Sequence, residues 1–171
     1  TRQNDAMKVI KLRDGKERTL LRRHPWVFQG SVAKGSADAG ETVRIEADDG
    51  RFLAWGAFSP SSMIRARAWS FTESERIDRA FFERRIATAT ALRARLPIAS
   101  DGLRLVHGEA DGLPGLIVDR YADVLVVKPA RVGGPVAPVL VPARLGAHGP
   151  PEPLLRHLER LYVASDRNLV D

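Results

Sequence analysis

Proline sets the first limit on what this chain can become. Seven of the eleven prolines fall at positions 129, 135, 138, 142, 150, 151 and 153; only Pro25, Pro60, Pro97 and Pro114 precede them. Proline brings no amide donor to a sheet and clashes inside a helix. Regular structure is therefore expected before residue 129, and 129–153 is expected to be extended or irregular. A helical pattern returns only over 154–162.

Before that break the text is mostly β. Residues 9–12 read as a strand closed by Asp14-Gly15. Over 41–47 apolar and polar residues alternate, putting Val43 and Ile45 on one face and Thr42, Arg44 and Glu46 on the other. Asp48-Asp49-Gly50 turns the chain and 51–58 returns, which predicts a hairpin. Residues 63–71 form another strand, with Met63, Arg65, Arg67, Trp69 and Phe71 sharing a face. About five or six such strands would close as a small barrel and remove its exposed edges.

A helix follows. Acidic residues over 73–78 suit the positive end of its dipole, and Ile77, Phe81, Phe82, Ile86, Ala89, Leu92 and Leu96 recur at helical spacing before Pro97. Arg79, Arg84, Arg85, Arg93 and Arg95 mark its opposite, solvated face. Strands at 103–107, 116–119 and 124–128 then form a meander whose first turn is GEADGLPG, and the helix covers one face of it.

The fold class is thus mainly β with an α+β part: a small barrel over 8–72, a helix-plus-antiparallel-sheet domain over 73–128, and an atypical tail over 129–171. Within 171 residues this is one compact unit or a tight pair. No apolar run approaches the roughly 18 residues of a membrane span, and the first ten residues lack the pattern of a secretory signal, so a cytoplasmic, membrane-free protein is expected. The chain has no cysteine, which removes thiol nucleophiles and thiolate metal sites, and its four histidines lack ligand spacing. A net charge of +6 favours an anionic partner such as nucleic acid, although a GC-rich genome, which encodes arginine readily, would also produce it.

Four strings together resemble a known family: LLRRHPWVFQGSV at 20–32, GETVRIEADDGRFLAWGAFSPSSMIRARAWSF at 40–71, RIDRAFFERRI at 76–86 and RLVHGEADGLPGLIVDRYADVLVV at 104–127. They resemble the N-terminal half of the ribosomal RNA large subunit methyltransferase I family, over roughly 8–128. The resemblance implies a PUA-like RNA-binding barrel, a linking α+β domain, and, in the full-length family, an S-adenosylmethionine-dependent domain that makes 5-methylcytosine in ribosomal RNA. It implies ribosomal RNA as a partner, and a homodimer is compatible with it.

That chemistry needs a thiolate that adds to the cytosine ring and a methyl donor held at the end of a parallel sheet. Neither is visible in the sequence, so the chain is expected to be inactive alone and to bind no cofactor itself. The abrupt change after Lys128 is read as a reading-frame shift in a GC-rich gene, followed by early termination.

The candidate RNA-binding residues are Arg22, Arg23, His24, Arg65, Arg67 and Trp69: arginines for phosphate, rings for bases. Trp26 and Phe28 are expected in the barrel core, and the arginines of the helix, at 79, 84, 85, 93 and 95, in solvent. Glu109, Asp111 and Asp119 mimic a cation site but lack calcium-loop spacing and read as turn residues. The alternative to RNA binding is a non-catalytic protein-interaction module.

Overall fold

A computed structural model describes residues 7–129 and 139–142. They divide between Ile77 and Asp78 into two units.

The first unit carries six strands: β1 (Val9–Leu12), β2 (Trp26–Phe28), β3 (Val32–Lys34), β4 (Thr42–Glu46), β5 (Phe52–Phe58) and β6 (Ile64–Ser70). They form one sheet in the order β2-β6-β5-β4-β1-β3. The order begins and ends on β2 and β3, so the sheet curls into a half-barrel and keeps two edges. Each edge strand is only three residues long, which limits the template it offers to another chain. The β4–β5 hairpin forms as its alternation predicts, with Val43 and Ile45 buried and Gly50 at φ 87° in the turn. Those two side chains join Ile10, Leu12, Leu20 and Val27 in the core. Each stabilises the unit by about 1.5–3 kcal/mol through burial alone.

A short helix, α1 (Arg18–Leu21), was not apparent from sequence spacing. It ends in a Schellman arrangement: the Arg23 amide donates to the Leu20 carbonyl at 2.8 Å and the His24 amide to the Thr19 carbonyl at 3.0 Å. Arg23 occupies the left-handed position, φ 64°, where glycine is the usual residue. Its Cβ makes that conformation costly by roughly 1–2 kcal/mol.

The second unit contains α2 (Arg79–Ala94) and the strands β7 (Gly102–His107), β8 (Leu116–Tyr121), β9 (Val124–Pro129) and β10 (Val139–Pro142). The helix starts later than its acidic lead suggests. Asp78 caps it by accepting from the Phe81 amide at 3.0 Å, while Glu73 and Glu75 are held in the preceding segment by Arg44 and Ser70. Phe81, Phe82, Ile86 and Ala89 are buried, whereas Leu92 and Leu96 are exposed.

The sheet is antiparallel throughout, in the order β10-β9-β8-β7. It therefore has four strands where three were expected. Part of the proline-rich stretch is extended and paired, with Val139 opposite Val127 and Pro142 opposite Val124. Proline is tolerated there because β10 is an edge strand and Pro142 is its last residue. The helical pattern at 154–162 and the proposed frame shift's product lie outside the described residues, apart from β10.

Two ion pairs of this unit share Asp119. Arg104 chelates the buried Asp119 at 2.7 and 3.2 Å, and Lys128 reaches the same carboxylate at 3.5 Å. The Arg104 guanidinium, aided by Lys128, holds the Asp119 carboxyl below the usual range against the opposing effect of burial. A depressed folded value means that this contribution is complete above the unfolded pKa of about 3.9 and is lost as pH falls through the folded one. Asp119→Asn is therefore expected to destabilise by about 1–3 kcal/mol at neutral pH. The difference from wild type should shrink in acid, which urea unfolding at about pH 7 and about pH 3 measures.

Candidate nucleic-acid interface

The edge strand β2 and its neighbour β6 carry most of the residues singled out in the sequence. Trp26 lies opposite Arg67 and Val27 opposite Ala66; an irregularity after Val27 then brings Phe28 opposite Ile64. Val27 and Ala66 are buried in the core, so Trp26 and Phe28 point the other way. This corrects the expectation that both rings fill the barrel: Trp26 is half-buried and Phe28 is 45% exposed. The plug is Val27.

The outward side chains form a row. The His24 and Trp26 rings meet edge to face at 5.3 Å, and those of Trp26 and Phe28 at 6.3 Å. The Trp26 amide donates to His24 Nδ1 at 3.3 Å, fixing the imidazole at the head of the row. Beyond Phe28, the Gln29 amide donates to the Met63 carbonyl at 2.9 Å, and Met63 is 72% exposed.

Arginines flank this row. Arg22 and Arg23 are exposed on the segment that leads into β2, and the Arg23 guanidinium lies 4.9 Å from the Phe71 ring centre. Arg65 and Arg67 are half-buried on β6, and Arg65 Nη1 donates to the Ser59 carbonyl at 3.3 Å. Trp69 is different. Its place on β6 suggests a ring beside Arg67, but it is 3% exposed and offers no face to a base. The structure thus leaves five of the six candidates, Arg22, Arg23, His24, Arg65 and Arg67, reachable from solvent, and adds Trp26 and Phe28. The missing signal was the pairing of β2, which decides facing and cannot be read from a three-residue strand.

The charge around the row is one-sided. From 18 to 37 and from 50 to 72 the chain contains no aspartate or glutamate. A second arginine–aromatic cluster shows the contrast. Arg44 lies 4.9 Å from the Phe52 ring and 5.7 Å from the Trp55 ring, but Glu46 and Glu73 each bind it at 2.7 Å. Its charge is already matched.

The acidic turn at the centre of the second unit is not an ion site. Gly108–Asp111 form a single 3-10 turn, and Gly112 follows at φ 66°. Asp111 binds Arg93 through both oxygens, at 2.5 and 2.7 Å, and accepts the His107 amide at 2.6 Å. A side chain at Gly112 would collide with Arg85, which itself packs on Phe81. Arg93 and Arg85 therefore serve the turn, and the fully solvated helix face expected from spacing is broken by both. Among the described residues no group of histidine, aspartate and glutamate is placed to hold a metal, and no helix is long and apolar enough to cross a membrane.

Known proteins resemble this chain in sequence and in fold. Residues 10–71 match the PUA-like domain family. Ribosomal RNA large subunit methyltransferase I from Klebsiella pneumoniae subsp. pneumoniae is 50% identical over 127 residues, which is 71% of this chain and 32% of that protein. The protein of the same name from Escherichia coli O139:H28 matches to the same extent. The chain is similar to the N-terminal part of ribosomal RNA large subunit methyltransferase I.

It spans about a third of the length of those relatives. The half-barrel lies within the residues matched to the PUA-like family, and the fold is the half-barrel plus helix-and-sheet arrangement that the four sequence strings implied. A solved Streptococcus mutans protein assigned to the SAM-dependent methyltransferases superposes with a TM-score of 0.66 at 14% identity, over 95% of this chain and 38% of that one. SMU.776, solved with SAH, superposes with the same TM-score over 37% of its length. Both likenesses establish the fold.

Proposed function

We propose that this chain is the RNA-recognising and RNA-positioning part of a ribosomal RNA cytosine-5 methyltransferase. The observation that carries the reading is an edge of the PUA-like unit built from segments 18–37 and 50–72, which hold no carboxylate and carry Arg22, Arg23, Arg65 and Arg67 beside a solvent-reachable aromatic row. Phosphates bound at such a surface release counterions and fix the register of the RNA. His24 and the neighbouring rings supply contacts to bases.

Methyl transfer belongs, in this reading, to the part of the relatives beyond the matched third. The glycine-rich turn over 108–115 does not fit S-adenosylmethionine. Gly108, Gly112 and Gly115 lie between antiparallel strands, and the turn's carboxylate is bound by Arg93, so no helix N-terminus faces a nucleotide there. The unit that begins at Asp78 acts as the link. Action in the cytoplasm on ribosomal RNA follows from the same reading.

Titrating the full chain with a ribosomal RNA fragment across a salt series tests it. Affinity should fall linearly in log–log form, with a slope of about −3 if four phosphates are contacted. Flat or absent binding would favour a protein-interaction module instead.

A further inference from the structure

We infer that the row His24–Trp26–Phe28 is a stacking platform for unpaired nucleotides, so that this edge selects single-stranded RNA over duplex. The inference rests on the RNA-binding reading and adds the class of RNA.

Phosphate contact alone would need only cations, and duplex backbone offers no ring faces to an aromatic side chain. Here the cations stand beside rings that a soluble domain would normally bury. Phe28 and Met63 are among the exposed large apolar side chains of the first unit; Phe28 ends β2, and Met63 immediately precedes β6, its carbonyl bonded by the Gln29 amide. Trp26 is held from one side by His24 and from the other by Phe28, both edge to face, which fixes the row before any ligand arrives. Preorganised rings lose little conformational freedom on binding.

The charge selects the occupant. The segments 18–37 and 50–72, which carry the row and all four arginines, contain no carboxylate; an apolar protein partner would gain nothing from that, whereas unpaired RNA matches both features: π faces for the row and phosphates for Arg22, Arg23, Arg65 and Arg67. Arg23 supports the same conclusion. It holds a left-handed position that glycine would fill without strain, and it places its guanidinium over Phe71 at the flank of the row.

The test compares a single-stranded RNA of ~12 mixed-sequence nucleotides with a hairpin duplex of equal length, both bound to the full chain at about 50 mM salt. The single strand should bind at least roughly tenfold tighter. Phe28→Ala changes an exposed side chain and should leave folding intact. It is expected to weaken single-strand binding by about 5- to 100-fold and leave both the duplex affinity and the salt slope unchanged. Phe28→Trp should restore the loss, because it keeps a stacking face.

Equal affinity for the two RNAs, or a Phe28→Ala protein that binds single strands like wild type, overturns the stacking role. If salt-dependent RNA binding persists in that case, only this inference fails. If no RNA binds at all, the RNA-binding reading fails with it.

Discussion

Asp111→Ala is expected to destabilise the second unit by about 3 kcal/mol, a large fraction of what a small domain has. Three donors converge on that carboxylate: both terminal nitrogens of Arg93 and the His107 amide. The Arg93 and Asp111 side chains are only 14% and 7% exposed. Removing the acid leaves a guanidinium with carbonyl partners alone, Arg104 at 3.2 Å and Ala89 at 3.3 Å, and strips the His107 amide of its acceptor. An uncompensated buried charge costs far more than the pair itself contributes.

Asp111→Asn separates the two losses. It keeps an oxygen for the His107 amide and removes the charge, so it should fall between wild type and Asp111→Ala. Far-UV circular dichroism in urea reads both midpoints, and hydrogen exchange at β7 and β8 locates the change. All three tryptophans, Trp26, Trp55 and Trp69, lie in the first unit, so their fluorescence is not the probe for this variant. A midpoint within about 0.5 kcal/mol of wild type would mean that the turn is held by its glycines and apolar contacts instead.

The reason this pair matters for the family is its position. GEADGLPG is among the strings that mark the resemblance, and its acids invite a ligand role. Arg93 and the His107 amide already satisfy Asp111, as Arg104 and Lys128 satisfy Asp119. The turn is specified by internal electrostatics, and its chemistry is spent on folding.

Local pattern carried much of the fold. Alternation over 42–58 located the hairpin because one face is core and the other is solvated, and Gly50 supplied the turn. Helical spacing located Phe81, Phe82, Ile86 and Ala89, since those side chains meet a single sheet. Features set by long-range pairing were not legible. A three-residue strand carries too little alternation to show that Trp26 and Phe28 face outward; that is decided by pairing with β6, 38 or so residues away, and by the irregularity after Val27.

Trp69 shows the converse. Strand parity puts it with Arg65 and Arg67, yet it is buried, because parity fixes a direction and says nothing of what covers that side. Arg93 was read as solvated because helical spacing does not contain the turn that returns to it. β10 escaped notice because proline argues against a central strand but not against the end of an edge strand.

The central claim is that one edge of the PUA-like unit, and not the chain's general positive charge, holds RNA. Two variants with the same change in charge measure it. In the first, Arg22, Arg23, Arg65 and Arg67 become glutamine; in the second, Arg76, Arg79, Arg84 and Arg95, exposed arginines at and along α2, do so. Each variant lowers the net charge of +6 by four. Salt titrations of single-stranded RNA binding should give the first a log–log slope about 3 units shallower than wild type and roughly tenfold or greater loss of affinity at moderate salt. The second should keep the wild-type slope. Equal losses in the two variants would contradict the account, because the attraction would then come from the charge of the whole chain and not from this edge.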